Sequence, residues 1–187
     1  MNNIQDIFYK QAENNIPKRF RNTDYDRDVP EAVKVALRKI STGEAQGLYI
    51  HGEAGVGKTH IAYAIYKKIW RQGHKCQFYN VAQLLMDMRS DYDKDCSRDY
   101  CISKKIIEAE NTVIFDDIGA EKMSDWVREM FYLIINNRYN NMSVTIFTSN
   151  LSLSELAEHY GDRIVSRIAG MCEVVKIEGE DRRIKKK

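Results

Sequence analysis

Only two prolines, Pro17 and Pro30, occur in the 187 residues. Beyond position 30, glycine is therefore the main residue that can force the chain out of regular helix or strand. No apolar run approaches the roughly 20 residues that cross a bilayer, and the polar start Met1-Asn2-Asn3 is no secretory leader. Both points argue for a cytoplasmic protein with no membrane partner. The four cysteines, Cys76, Cys96, Cys101 and Cys172, form no C-x-x-C pair and have no histidine at zinc-site spacing. They read as reduced thiols rather than as a disulfide framework or a metal centre. Charge of one sign is also lacking. A formal net charge of +2 gives no licence for a nucleic-acid partner on charge alone, and only Arg182, Arg183, Lys185, Lys186 and Lys187 concentrate it, in what reads as a solvated tail. Repeats and low-complexity segments are absent. With 43% hydrophobic and 30% charged residues, the chain has the composition and length of one globular domain.

What is present is a complete phosphate-loop pattern, Gly52-Glu53-Ala54-Gly55-Val56-Gly57-Lys58-Thr59. Glycines let the backbone curl so that successive N–H groups point at phosphate oxygens. Lys58 supplies a point charge between the β- and γ-phosphates, and the Thr59 hydroxyl is placed to ligate Mg²⁺. The helix that begins near Lys58 aims its positive end at the same anion. The candidate nucleotide-binding set is Gly52 to Thr59 with His60, and the implied ligands are ATP and Mg²⁺.

Context supports the loop. Gly47–His51 reads as a strand before it, and Ile61, Ala62, Ala64, Ile65, Ile69 and Trp70 give a helix after it, ended by Gly73. Cys76–Tyr79, Val113–Asp117, Val144–Asn150 and Glu173–Ile177 read as further strands. Helices are expected from Ala32 to Ile40, after an Asn80/Gln83 box, around Ile102–Ile107, around Val127–Ile135, after a Ser152/Glu155 capping box, and over Gly161–Ala169. Ser90–Arg98 is highly charged and reads as a loop or frayed helix. Ile4, Ile7, Phe8 and Ala12 suggest a short helix in an N-terminal extension, 1–15, ahead of a domain at 16–187. Five strands alternating with helices imply an α/β fold, a parallel sheet covered on both faces.

Val113-Ile114-Phe115-Asp116-Asp117 ends an apolar strand in two carboxylates, at the end of the sheet where α/β ligands bind. Asp116 is then placed to orient Mg²⁺, and Asp117 to polarise an attacking water.

Together, Gly52–Thr59, Val113–Glu121 (VIFDDIGAE), Thr148-Ser149-Asn150 and Gly161–Ile168 (GDRIVSRI) resemble the AAA+ ATPases. With IPKRFR near the start and GEDRR near the end, the chain is similar to the DnaC/DnaI-type helicase loaders and the related IstB transposition helpers. The resemblance runs from about Ile16 to Arg183. It implies a three-layer P-loop fold with a reduced C-terminal lid, Lys58 and Thr59 as the Walker A pair, and Asp116 as the Walker B aspartate. Asp117 stands where most AAA+ proteins carry glutamate. Asn150 matches sensor 1, Arg167 the arginine finger with Arg163 as second candidate, and Arg183 sensor 2. A finger supplied in trans implies self-association into a ring or spiral.

The function implied is an ATPase, slow and assembly-dependent, that loads or remodels the replicative helicase on single-stranded DNA. Candidate DNA contacts are Arg89, Tyr92, Lys94, Arg98, Tyr100, Lys104 and Lys105, although interspersed acids favour a solvated loop there. Loaders of this type usually carry an additional N-terminal domain that grips the helicase, and fifteen residues precede Ile16 here. Either the short N-terminal stripe takes that role or the client differs. An IstB-like transposition helper and a nucleotide-gated switch with little hydrolysis therefore stay open.

Overall fold

A computed structural model describes residues 10, 12–93, 102–107 and 109–183. Five parallel strands, β1 (Gly47–His51), β2 (Cys76–Asn80), β3 (Thr112–Ile118), β4 (Thr145–Ser149) and β5 (Cys172–Lys176), form one sheet in the order β2-β3-β4-β1-β5. All of β4 is buried, as are the first four residues of β1, as expected of central strands.

The two-residue period of the strands divides the interior in two. Tyr49, Val113, Phe115 and Phe147 face one core. Leu48, Ile50, Ile114 and Ile146 face the other. Phe115, stacked on Phe147 and edge-on to Phe131, anchors the first. Each such fully buried ring contributes on the order of 1.5–3 kcal/mol.

Helices α1 (Tyr25–Asp28), α2 (Glu31–Thr42) and α3 (Lys58–Arg71) cover the second core. Of these, α2 packs on β1 and β5, and α3 on β2, β3 and β4. Over the first core lie α4 (Val81–Asp93), α5 (Ile102–Ile107), α6 (Asp125–Asn140), α7 (Leu153–Tyr160) and α8 (Asp162–Met171). The helix ends follow local chemistry. Ser152 and Glu155 form the reciprocal capping box of α7. Ser124 caps α6, and Gly43 closes α2 at a φ of 81°.

Most expected elements occur within a residue or two. The last strand starts one residue early, at Cys172, because that residue pairs with Gly47, where only a glycine leaves room for the thiol. The charged stretch from Ser90 continues α4 as far as Asp93. Leu84, Leu85 and Met88 anchor that helix in the core, and Gln83 bonds Asp87 one turn on at 2.8 Å. Lys94, Arg98 and Tyr100 lie outside the described residues, as do most of the N-terminal stripe, Cys96 and Cys101. Cys76 and Cys172 are buried and unpaired, and burial pushes both thiols up. Among the described residues no helix is long and apolar enough to cross a membrane.

Candidate functional site

At the carboxyl ends of β1, β3 and β4 lies a cleft of about 470 Å³. Its lining includes Ala54, Gly55, Gly57, Lys58, Thr59 and His60 of the glycine loop, Asp117 and Asn150 from the ends of β3 and β4, and Arg182 and Arg183 from the C-terminal segment. Arg19 and Phe20 complete the lining.

The loop curls where the sequence expects, and tertiary contacts explain two of its glycines. A Cβ on Gly52 would strike the Ile177 carbonyl, and one on Gly55, at a φ of 85°, would strike the Asp181 carboxylate. The segment after β5 thus lies directly against the loop. The Arg182 N–H donates to the Gly55 carbonyl at 3.1 Å, and the Arg183 N–H donates to Asp181 Oδ1 at 2.8 Å.

Lys58 opens α3 and is 7% exposed. Its Nζ donates to the carbonyls of Gly52 and Glu53 and to Asn150 Oδ1, each at 2.7 Å. Burial draws the ammonium pKa down, and the charges of Asp117 and Asp116 oppose that fall. Asn150 also links across the site, with Nδ2 donating to Asp117 Oδ1 at 3.1 Å.

The paired aspartates depend on a β-bulge that the sequence does not announce. In a regular strand Asp116 and Asp117 would point to opposite faces. Phe115 pairs with Phe147 but Ile118 with Ser149, so β3 carries one extra residue, and Asp117 takes a left-handed φ of 64°. Asp117 therefore lines the cleft, and Asp116 lies buried against Thr59 of the loop. Asp116 accepts from Thr148 Oγ1 at 2.6 Å and Thr59 Oγ1 at 3.2 Å. Thr148 Oγ1 in turn accepts the Asp117 N–H at 2.9 Å and so fixes the bulge.

Asp116 is 4% exposed, and burial raises its pKa against the two hydroxyl hydrogen bonds. A buried carboxylate beside a threonine hydroxyl, at the mouth of a phosphate loop, fits Mg²⁺. That ion takes oxygen donors and is commonly held by one or two carboxylates together with substrate phosphates.

The His60 side chain meets α1, with Nε2 3.0 Å from Asp28 Oδ2. The Arg27 guanidinium, above all, with the Asp24 N–H and His60, holds the Asp28 carboxyl well below its ordinary range. The His60 ring meets Phe20 edge-on, and Phe20 stacks on Tyr63 at 4.7 Å.

Arg163 and Arg167 do not reach the cleft. Both lie over the Tyr132 ring on α6, at 4.7 and 5.2 Å. Arg163 donates to Tyr132 Oη at 2.9 Å, and Arg167 Nε donates to Asn136 Oδ1 at 2.9 Å. Arg89 lies 5.0 Å over the Trp126 ring, and Lys104 and Lys105 sit on α5. Sequence reasoning did not assign roles to Arg19, Phe20, Thr148 and Arg182. Thr148 was findable, as a polar residue ending an apolar strand. The others reach the site only through tertiary folding.

A parallel sheet of this strand order, with a phosphate loop leading into α3 and a carboxylate pair ending β3, defines a P-loop nucleotide-binding domain of the AAA+ type. The sequence model of the IstB-like ATP-binding proteins matches residues 9–187, and the chain belongs to that family. It is 29% identical over 157 residues to the replicative helicase loader DnaI of Bacillus subtilis, covering 76% of this chain and 49% of DnaI. It is 27% identical over 149 residues to a Pseudomonas aeruginosa protein of insertion sequence IS21 named as ATP-binding, covering 76% and 54%. The chain thus spans about half the length of these curated relatives. A crystal structure of the DnaC helicase loader superposes with a TM-score of 0.74 at 30% identity, covering 87% of this chain and all of that one.

Proposed function

We propose that the chain is an ATP-hydrolysing AAA+ protein of DNA replication that loads or remodels a replicative helicase on single-stranded DNA. The observation that carries the ATPase reading is the linked set Lys58, Asn150, Asp117, Asp116 and Thr59, drawn from the loop and from the ends of β3 and β4. In this reading the loop from Gly52 to His60 binds the phosphates, with Lys58 exchanging its carbonyl partners for phosphate oxygens. Thr59 and Asp116 hold Mg²⁺, which when bound offsets phosphate charge. Asp117 and Asn150 orient the attacking water between them, and Arg183 contacts the nucleotide from the C-terminal segment.

Arg167, with Arg163 beside it, acts on the nucleotide of a neighbouring copy. That neither arginine lines the chain's own cleft supports supply in trans, hence a ring or spiral. Residues 16–187 form the ATPase domain, with 1–15 as an extension. The similarity to the DnaC and DnaI loaders supports the helicase as client. The family match and the similarity to the IS21 protein support a second reading, a transposition helper.

Affinity capture with Mg²⁺ and a slowly hydrolysed ATP analogue tests the two, with Lys58→Ala alongside. Recovery of the replicative helicase by wild type alone supports loading. Recovery of a transposase instead moves the chain to the transposition reading, and recovery of neither removes both.

A further inference from the structure

A second recess lies at the opposite, amino end of the sheet, between α2 and α3. At about 800 Å³ it is larger than the nucleotide cleft. Leu37 and Ile40 of α2, Ile69 of α3 and Val144 at the head of β4 give it an apolar floor, and none of these four is fully buried. The fold leaves these apolar side chains lining a groove between two helices.

The rim carries mostly one sign of charge. Arg38, Lys68 and Lys75 line it, with His74 beside them, and Glu110 is the single acid. Lys68 lies 5.2 Å over the Tyr25 ring and makes no ion pair among the described residues. Lys75 is exposed and likewise makes none among them. Arg38 gives one Nη2 bond to the exposed Glu31 at 2.6 Å. An exposed pair of this kind is worth little and can be exchanged for another carboxylate.

We propose that this groove receives an acidic amphipathic helix of a partner protein, with its apolar stripe on the α2–α3 floor and its flanking carboxylates on Arg38, Lys68 and Lys75. Helix-in-groove recognition needs an apolar trough read at i, i+3, i+4 and i+7, and charge at the edges to set register and partner choice. Both are present. Lys185, Lys186 and Lys187 carry the same sign as the rim, which makes that stretch an unfavourable occupant. The contact is separate from the nucleotide cleft and lies at the other end of every strand.

The test is fluorescence anisotropy on the full chain. The probe is a synthetic helical peptide with leucines at i, i+3, i+4 and i+7 flanked by glutamates. A second peptide carries lysines in place of the glutamates. The acidic peptide is expected to bind saturably, to weaken as salt is raised, and to bind at least tenfold more tightly than the basic one. The double substitution Lys68→Glu with Lys75→Glu lies outside the nucleotide cleft and is expected to leave ATP turnover unchanged. It is expected to reverse the preference between the peptides. Hydrogen exchange with the acidic peptide bound is expected to protect amides of α2 and α3.

Equal affinity for the two peptides, or no effect of the double substitution, overturns the proposal. So does sedimentation showing that the chain dimerises and that Leu37→Glu abolishes the dimer, since a second copy would then be the occupant. Higher peptide affinity after removal of residues 1–9 also overturns it, by making the chain's own N-terminus the occupant.

Discussion

Each end of the sheet buries a cation among neutral oxygens. At the amino end Arg138 of α6 is fully buried. It donates Nε to Thr145 Oγ1 at 2.8 Å, Nη1 to the Ala109 carbonyl at 2.9 Å, and Nη2 to the carbonyls of Asn111 and Val144 at 3.0 and 2.7 Å. At the carboxyl end Lys58 has three acceptors and stands at an open cleft. The guanidinium is a rigid planar fork, and here its acceptors come from the segment before β3 and from the head of β4, so it ties those two segments to α6. The ammonium is compact and rotates freely on its stem, so its partners can be exchanged without moving the backbone. Burial draws the pKa of both down, that of Arg138 to about 10, which leaves it charged at neutral pH. One cation ties the segment before β3 and the head of β4 to α6, and the other stands at the cleft with partners it can exchange.

The contrast breaks first at Arg138. Arg138→Met removes the donor shared by Thr145 and the Ala109, Asn111 and Val144 carbonyls, so a loss of about 3–5 kcal/mol is expected in urea unfolding, with nucleotide affinity unchanged in whatever fraction stays folded. Lys58→Ala should do the reverse. ATP turnover should fall at least about a hundredfold, the scale for losing a charge aimed at the transition state, with little change in the unfolding midpoint. A midpoint that drops as far as in Arg138→Met would end the distinction. Asn150→Ala frees both Lys58 and Asp117 and is expected to cut turnover at least about tenfold while nucleotide still binds, since a hydrogen bond to a charged group is worth roughly 1.5–3 kcal/mol. Thr145→Val removes a single acceptor from Arg138 and should cost about 1–2 kcal/mol of stability and no activity.

The smallest effect concerns pH. The Asp28 carboxyl is held low in the folded chain, so the unfolded chain binds the proton more readily. Its contribution to stability is complete above the ordinary aspartate value of about 4 and declines as pH falls below it. An acid unfolding series should show a shallower slope for Asp28→Asn, whereas an unchanged slope would place the acid sensitivity elsewhere.

What could be read in advance divides along the same physical lines. The phosphate loop, the Ser152 capping box and the apolar strands depend on residues adjacent in the chain, and local chemistry determined them. The bulge at Asp117 depends on a hydroxyl of β4, thirty-one positions on, and no pattern within β3 marks it. Arg138 reads as an ordinary charged residue in an amphipathic helix, because its acceptors come from β4 and from the segment before β3. The bulge turns Asp117 toward Asn150 while Asp116 meets Thr59, although alternation along a regular strand would part the two side chains. Arg182 and Phe20 enter the cleft from opposite ends of the sequence, which spacing within a motif does not encode.

The strand order has a consequence for how the chain acquires this structure. Among the described residues the strand partners of β1 are β4 and β5, so the strand that leads into the phosphate loop gains them only after about a hundred further residues have been synthesised. β2 and β3, which pair with each other, can form earlier. On the ribosome, then, the cleft is expected to be among the last parts to assemble, and nucleotide binding should require that the closing strands have already emerged.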